Sequence, residues 1–146
     1  MNNSANRINK ILEKTGGTRY LEIGVDAGET FLDVKARLKV AVDPSFRFDY
    51  AEHEAEGVFC HPVTADEFVG IVEKTPASAL AAGPDGDPRF DLIFIDGLHT
   101  VEQSYRDFVH SLRHAHDKTV WIIDDTVPND PYSALPDPSR CKLYRN

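Results

Sequence analysis

The chain has 146 residues, 41% hydrophobic and 27% charged, with a formal net charge of -8. That length and apolar fraction suit one globular domain with an adequate core, and an acidic balance without a basic stripe excludes a nucleic-acid backbone as the main partner. The opening MNNSANRINKILEKTGG has no apolar h-region and nothing approaches a membrane-spanning length, so a cytoplasmic protein with no membrane partner is expected.

Helix and strand signals alternate along the chain. Ile8, Ile11 and Leu12 share a helical face that Gly16 and Gly17 end, and RYLEIGV follows as the first strand. A glycine-containing turn then opens a predicted helix carrying Phe31, Leu32 and Val34. LKVAVDP is the second strand, closed by Pro44. Residues 45–56 are polar and aromatic without a clear period, and GVFCHPV is a weaker third strand. Thr64 and Glu67 form a capping box for a helix whose Phe68, Ile71 and Val72 face inward. Residues 76–89, rich in proline, glycine and alanine, read as a surface loop. FDLIFID is strand four. Thr100 and Gln103 form a second capping box, and Val101, Tyr105, Phe108, Val109 and Leu112 make one apolar stripe before strand five, TVWIIDD. Cys60 and Cys141 lie far apart without a CxxC spacing and read as reduced thiols.

This alternation implies right-handed crossovers and a Rossmann-like, doubly wound α/β fold with helices on both faces of a parallel sheet. The expected strand order is 3-2-1-4-5, which places strands one and four at a switch point with strand five beside four. The tail beyond Val127 carries four prolines and no convincing strand. Strand five is then an open edge unless the tail or a second subunit covers it.

Two places carry chemistry. In LEIGVDAGETF, Gly24 and Gly28 stand where dinucleotide folds use G-x-G-x-x-G, with Glu22 before them and Asp26 between. This looser turn suits a cofactor that presents an amino-acid carboxylate and amine instead of a pyrophosphate, a description S-adenosylmethionine fits. Asp43 ends strand two about twenty residues past the turn, the distance at which such folds set a carboxylate on ribose hydroxyls. The glycines also suit a plain strand-to-helix turn, and Asp43 a loop cap before Pro44. At the other place, Asp96 closes strand four, Asp124 and Asp125 close strand five, and His99 follows three residues after Asp96. Adjacent strand residues point to opposite faces, so both acids of the pair reach one ion only if the strand has already ended. Oxygen donors without a Cys or His cluster favour Mg²⁺ or Mn²⁺ over zinc.

LEIGVDAGETF, VAVDP, FDLIFIDGLHTVEQSYRDF and VWIIDDTVP together resemble the successive motifs of class I S-adenosylmethionine-dependent methyltransferases, most of all the small-molecule O-methyltransferases of the macrocin O-methyltransferase type. The resemblance spans roughly residues 8 to 128. It implies that Asp96, Asp124 and Asp125 bind the divalent metal and that His99 serves as base. It further implies Glu22, Gly24, Asp26, Gly28 and Asp43 around the methionine and ribose parts, with Thr64 or Asp66 near the adenine. On this reading 1–128 form the cofactor-binding domain and 129–146 a Pro-rich tail. Members of this family usually continue into a further helix and antiparallel strands, which this sequence lacks after strand five.

The chemistry so implied is metal-assisted O-methylation of a small hydroxylated substrate. The metal stabilises the alkoxide, His99 removes the proton, and the oxygen attacks the sulfonium methyl in line. Two other readings stay open: a catalytically silent cofactor-binding or assembly domain, and a metal-dependent hydrolase. A nicotinamide oxidoreductase is disfavoured by the missing third glycine.

Overall fold

The computed structural model describes residues 2–55, 57–74, 87, 89–127, 131 and 135. In chain order the elements are α1 (Asn3–Thr15), β1 (Arg19–Ile23), β2 (Leu38–Val42), β3 (Val58–His61), α2 (Ala65–Lys74), β4 (Phe90–Ile95), α3 (Val101–Ser111) and β5 (Ala115–Ile123). Two short 3-10 turns, Tyr50–Glu52 and Leu112–His114, complete them. The expected loop at 76–89 lies almost wholly outside the described residues, as do nearly all of the tail, Cys141 and the side chain of Val72.

The sheet is parallel throughout and ordered β3-β2-β1-β4-β5, as the alternation of signals requires. Register is what positions the site. Ile23 pairs with both Val42 and Ile95, and Ile95 pairs with Ile123. The next residue of each strand is therefore Gly24, Asp43, Asp96 or Asp124, so one rim collects all four.

Both faces of the sheet are buried because alternate residues serve different layers. Tyr20, Leu92 and Phe94 pack with Ala5, Ile8 and Leu12 of α1. Leu21, Ile23, Ile93 and Ile95 pack with Phe68 of α2 and with the half-buried Phe108 and Trp121. In β4 the side chains of Phe90, Leu92, Ile93, Phe94 and Ile95 are each at most 1% exposed. Each such burial is worth roughly 1.5–3 kcal/mol, which makes β4 the spine of the core.

Two expectations fail. The predicted helix carrying Phe31, Leu32 and Val34 is a chain of turns, although Phe31 and Val34 are buried as expected. Asn9 on α1 accounts for this: its amide donates to the Asp33 carbonyl and its carbonyl accepts the Lys35 N–H. Asn2 likewise donates to Thr30 and, through its backbone, to Asp33. Backbone groups so satisfied do not need a helical ladder. The second failure concerns α3, whose expected apolar stripe faces outward. Val101 is 85% exposed and Tyr105 68%, with Val109 and Leu112 also exposed, whereas Asp107 and Ser111 are buried. Ion pairs from Arg106 and His110 to Asp66 fix the rotation of α3 against α2. Ser111 is drawn inward because its hydroxyl accepts the indole N–H of Trp121. Of the stripe, Phe108 packs against the core, edge-on to Trp121.

β5 is longer than expected at its start and lies at the sheet edge. It ends at Ile123, before both acids.

Candidate active site

A cavity of 740 Å³ lies at the rim where the strand order reverses, lined from the β1 and β2 side by Glu22, Gly24, Asp26 and Asp43 and from the β4 side by Asp96 and His99. Its size falls in the range that encloses a nucleoside-sized ligand. The location is the one that open α/β sheets reserve for ligands.

Gly24 exists because two chain segments touch there. Its φ is +84°, and a Cβ would stand 2.3 Å from the Asp96 carbonyl oxygen. The same close approach brings the acidic end of β4 against the turn after β1. Gly28, at φ +77°, is outside the cavity lining; a Cβ there would stand 2.9 Å from the Phe48 ring. Its positive φ shapes the turn.

Asp26 adopts a left-handed φ of 49° and its carboxylate is ion-paired to Arg47, which holds it below the usual carboxylate range. Arg47 joins the cavity lining through this pair. Asp43 lies in the cavity wall, but both of its oxygens are engaged by backbone. Oδ2 accepts the N–H groups of Val25 and Asp26 at 2.8 and 2.9 Å, and Oδ1 accepts that of Ser45 at 2.7 Å. Asp43 thus braces the glycine turn to β2 while lining the cavity where the sequence reading set a ribose acid.

Glu22 is the most unusual group present. It is 1% exposed, lines the cavity and accepts a 2.5 Å hydrogen bond from the Tyr20 hydroxyl. Burial pushes its carboxyl up to about 8; Tyr20 and Lys39 pull it down, while Asp96 and Asp43 push it further up. At neutral pH this carboxyl is therefore largely protonated, and a neighbouring cation would favour its ionised form.

Across the cavity, Asp96 is pushed up to about 6, first by burial and then by Asp124, with Asp125 and Asp26 adding to the rise and His99 opposing it. Asp124 and Asp125 lie past the strand end, so the condition for both to reach one rim is met. The Asp124 carboxylate accepts the Asp125 N–H, and Asp125, at φ 50°, places its carboxylate 3.6 Å from His99 Nε2. Among the described residues no group of three or more His, Cys, Asp or Glu side chains is gathered around a common ion position.

Thr64 and Glu67 form the expected capping box in both directions, at 2.9 and 3.2 Å. Thr64 and Asp66 both line the cavity, with Asp66 anchored to Arg106. The sequence reading missed Asn2, Thr30 and Arg47, whose partners lie far along the chain. It also missed Gln103 and Asp107, which line the cavity and bond each other at 2.8 Å. Their i, i+4 spacing on α3 was the available signal.

A methyltransferase domain family matches residues 21–126. Among solved structures the chain is similar to an O-methyltransferase from Bacillus cereus crystallised with SAH, with a TM-score of 0.61 and 17% identity over 90% of this chain. The chain spans 64% of that protein's length. At such identity the likeness speaks to the fold, which agrees in the parallel α/β sheet. No curated protein matches the sequence.

Proposed function

The chain belongs to the methyltransferase domain family, and on that premise we propose that its cavity binds S-adenosylmethionine and that it methylates a hydroxyl of a small molecule with the help of a divalent cation. The observation that carries this reading is the register that sets Gly24, Asp43 and Asp96 in the wall of a 740 Å³ cavity, with Asp124 at the same end of the sheet. The presence of SAH in the Bacillus cereus structure supports it.

When bound, S-adenosylmethionine supplies an electrophilic sulfonium methyl and Mg²⁺ or Mn²⁺ supplies stabilisation of an alkoxide. Glu22 is suited to pair with the cofactor's ammonium, losing its proton as it does so. The brace made by Asp43 holds the glycine turn in place at the same end of the cavity. His99, whose Nε2 stands 3.6 Å from the Asp125 carboxylate, takes the proton from the substrate hydroxyl. Walls such as Val25 and Val42 exclude water from between the reactants.

Asp96, Asp124 and Asp125 are hard oxygen donors of the type these cations take. The elevated Asp96 marks anionic charge that a cation relieves. To hold an ion, Asp124 and Asp125 have to close on Asp96.

Calorimetric titration with S-adenosylhomocysteine should give a heat of binding, and its absence overturns the reading. Incubation of S-adenosylmethionine and Mg²⁺ with phenolic, sugar and polyketide hydroxyls should release S-adenosylhomocysteine, and His99→Ala should slow release by about 10²–10⁴-fold. Asp96→Asn should weaken Mn²⁺ binding while largely sparing the cofactor. A second reading is a cofactor-binding domain without turnover. Binding without methyl release onto any acceptor would select it.

A further inference from the structure

Tyr20 is fully buried and lies outside the cavity lining, yet its hydroxyl is committed to the cavity's buried acid. Tyr20 and Glu22 are i and i+2 on β1, so both point to the α1 face of the sheet. Elsewhere in the sheet the fully buried aromatic positions are Phe90 and Phe94, neither of which carries a polar side-chain atom. A phenol at Tyr20 costs desolvation that a phenylalanine avoids, so packing alone does not account for the oxygen. Its ring packs against Phe31 at 6.3 Å, which fixes where the hydroxyl ends.

The other charged groups around Glu22 do not complete it. Lys39 of β2 donates its ammonium to the Phe31 carbonyl at 2.9 Å and sits over the Phe31 ring. Asp43 at the tip of β2 and Asp96 at the tip of β4 are acids that repel a second negative charge. Among the described residues, the hydrogen bond from Tyr20 is the one found for Glu22. Oε2 is therefore held from behind, and the cavity offers the place for a cation.

We propose that Tyr20 is a positioning residue for cofactor binding: its buried hydroxyl holds Glu22 Oε2 and so presents the rest of the carboxylate to the ammonium of the cofactor's amino-acid part. This rests on the proposed identity of the cavity's ligand. Burial raises the Glu22 carboxyl and the Tyr20 hydrogen bond works against that rise, so the phenol favours the ionised form that an ammonium needs.

Two ligands separate this role from general support of the fold. S-adenosylhomocysteine carries the ammonium, whereas 5′-methylthioadenosine keeps the nucleoside and thioether without it. In calorimetric titrations of the full chain, Tyr20→Phe should weaken S-adenosylhomocysteine about tenfold, the scale of one hydrogen bond to a charged group. It should leave 5′-methylthioadenosine within about twofold. In a Glu22→Gln background the same substitution should add no further loss, because the carboxylate it serves is gone. Equal losses for both ligands, or no loss for either, overturn the inference while leaving the cavity reading intact. If the parent binds neither ligand, the cavity reading itself falls and the inference with it.

Discussion

Glu22 makes the stability of the ligand-free protein depend on pH in a direction opposite to that of a salt-bridged acid. Its carboxyl stands at about 8 in the fold against an ordinary 4.5. The folded state therefore holds the proton more tightly, so stability is full below the ordinary value and falls as pH rises through about 8. Glu22→Gln keeps an oxygen to accept from Tyr20 and removes the titration. Its melting temperature relative to the parent should rise by roughly 8–15 °C between pH 5 and pH 9. A difference that stays constant with pH would show that burial does not hold this proton. The acid at position 22 was legible in the sequence as a residue of the turn that now lines the cavity, but its protonation was not, because burial and the phenol belong to the packed sheet. Asp43 makes the complementary case. The spacing placed it correctly at the rim, yet three backbone amides claim its oxygens, and no spacing rule reveals which partner a carboxylate chooses.

The elements differ in what local sequence specifies. Gly16 and Gly24 both have positive φ, but a Cβ at Gly16 meets nothing within 4 Å, whereas at Gly24 it meets the Asp96 carbonyl at 2.3 Å. Gly16→Ala should cost about 1 kcal/mol in urea denaturation, the strain of a left-handed residue. Gly24→Ala should cost about 3 kcal/mol or more, because the junction of β1 and β4 must also part. Comparable losses would remove the close approach as the reason for Gly24. On α3 the N-cap was read correctly, Thr100 accepting the Gln103 N–H at 3.3 Å, but the expected box is not closed, because the Gln103 amide donates to Asp107 and the Thr100 N–H to the Leu98 carbonyl. The rotation of the helix was misread, because an apolar stripe tells a helix which face is greasy and not which face its neighbours fix. Phe108→Ala should cost about 2–4 kcal/mol, since it packs against Trp121. Val101→Asp should stay within about 0.5 kcal/mol. A large loss at Val101 would restore the stripe to the core.

As a whole molecule, the protein is a parallel sheet wrapped on both faces, and among the described residues no helix is long and apolar enough to cross a membrane. Its one functional rim is coupled to global stability. If the cavity takes S-adenosylhomocysteine, a concentration one hundred times Kd should add about 2.7 kcal/mol, or roughly 5–10 °C in melting temperature. No shift at saturation would set the cavity reading aside. The order of strands, their common direction and the gathering of Gly24, Asp43, Asp96 and Asp124 were all determined by the sequence alone. Short apolar runs, caps and turn residues act within a few positions of one another, and right-handed crossovers leave few ways to arrange them. The tertiary structure decided the rest: turns in place of a helix after β1, the outward face of α3, the brace at Asp43 and the bond between Tyr20 and Glu22. The side chains in those choices face partners that only the packed fold brings or traps together, as Asn9 does for Asp33 and Asp26 for Arg47. Only a packed interior makes an unpaired polar group expensive enough to fix them.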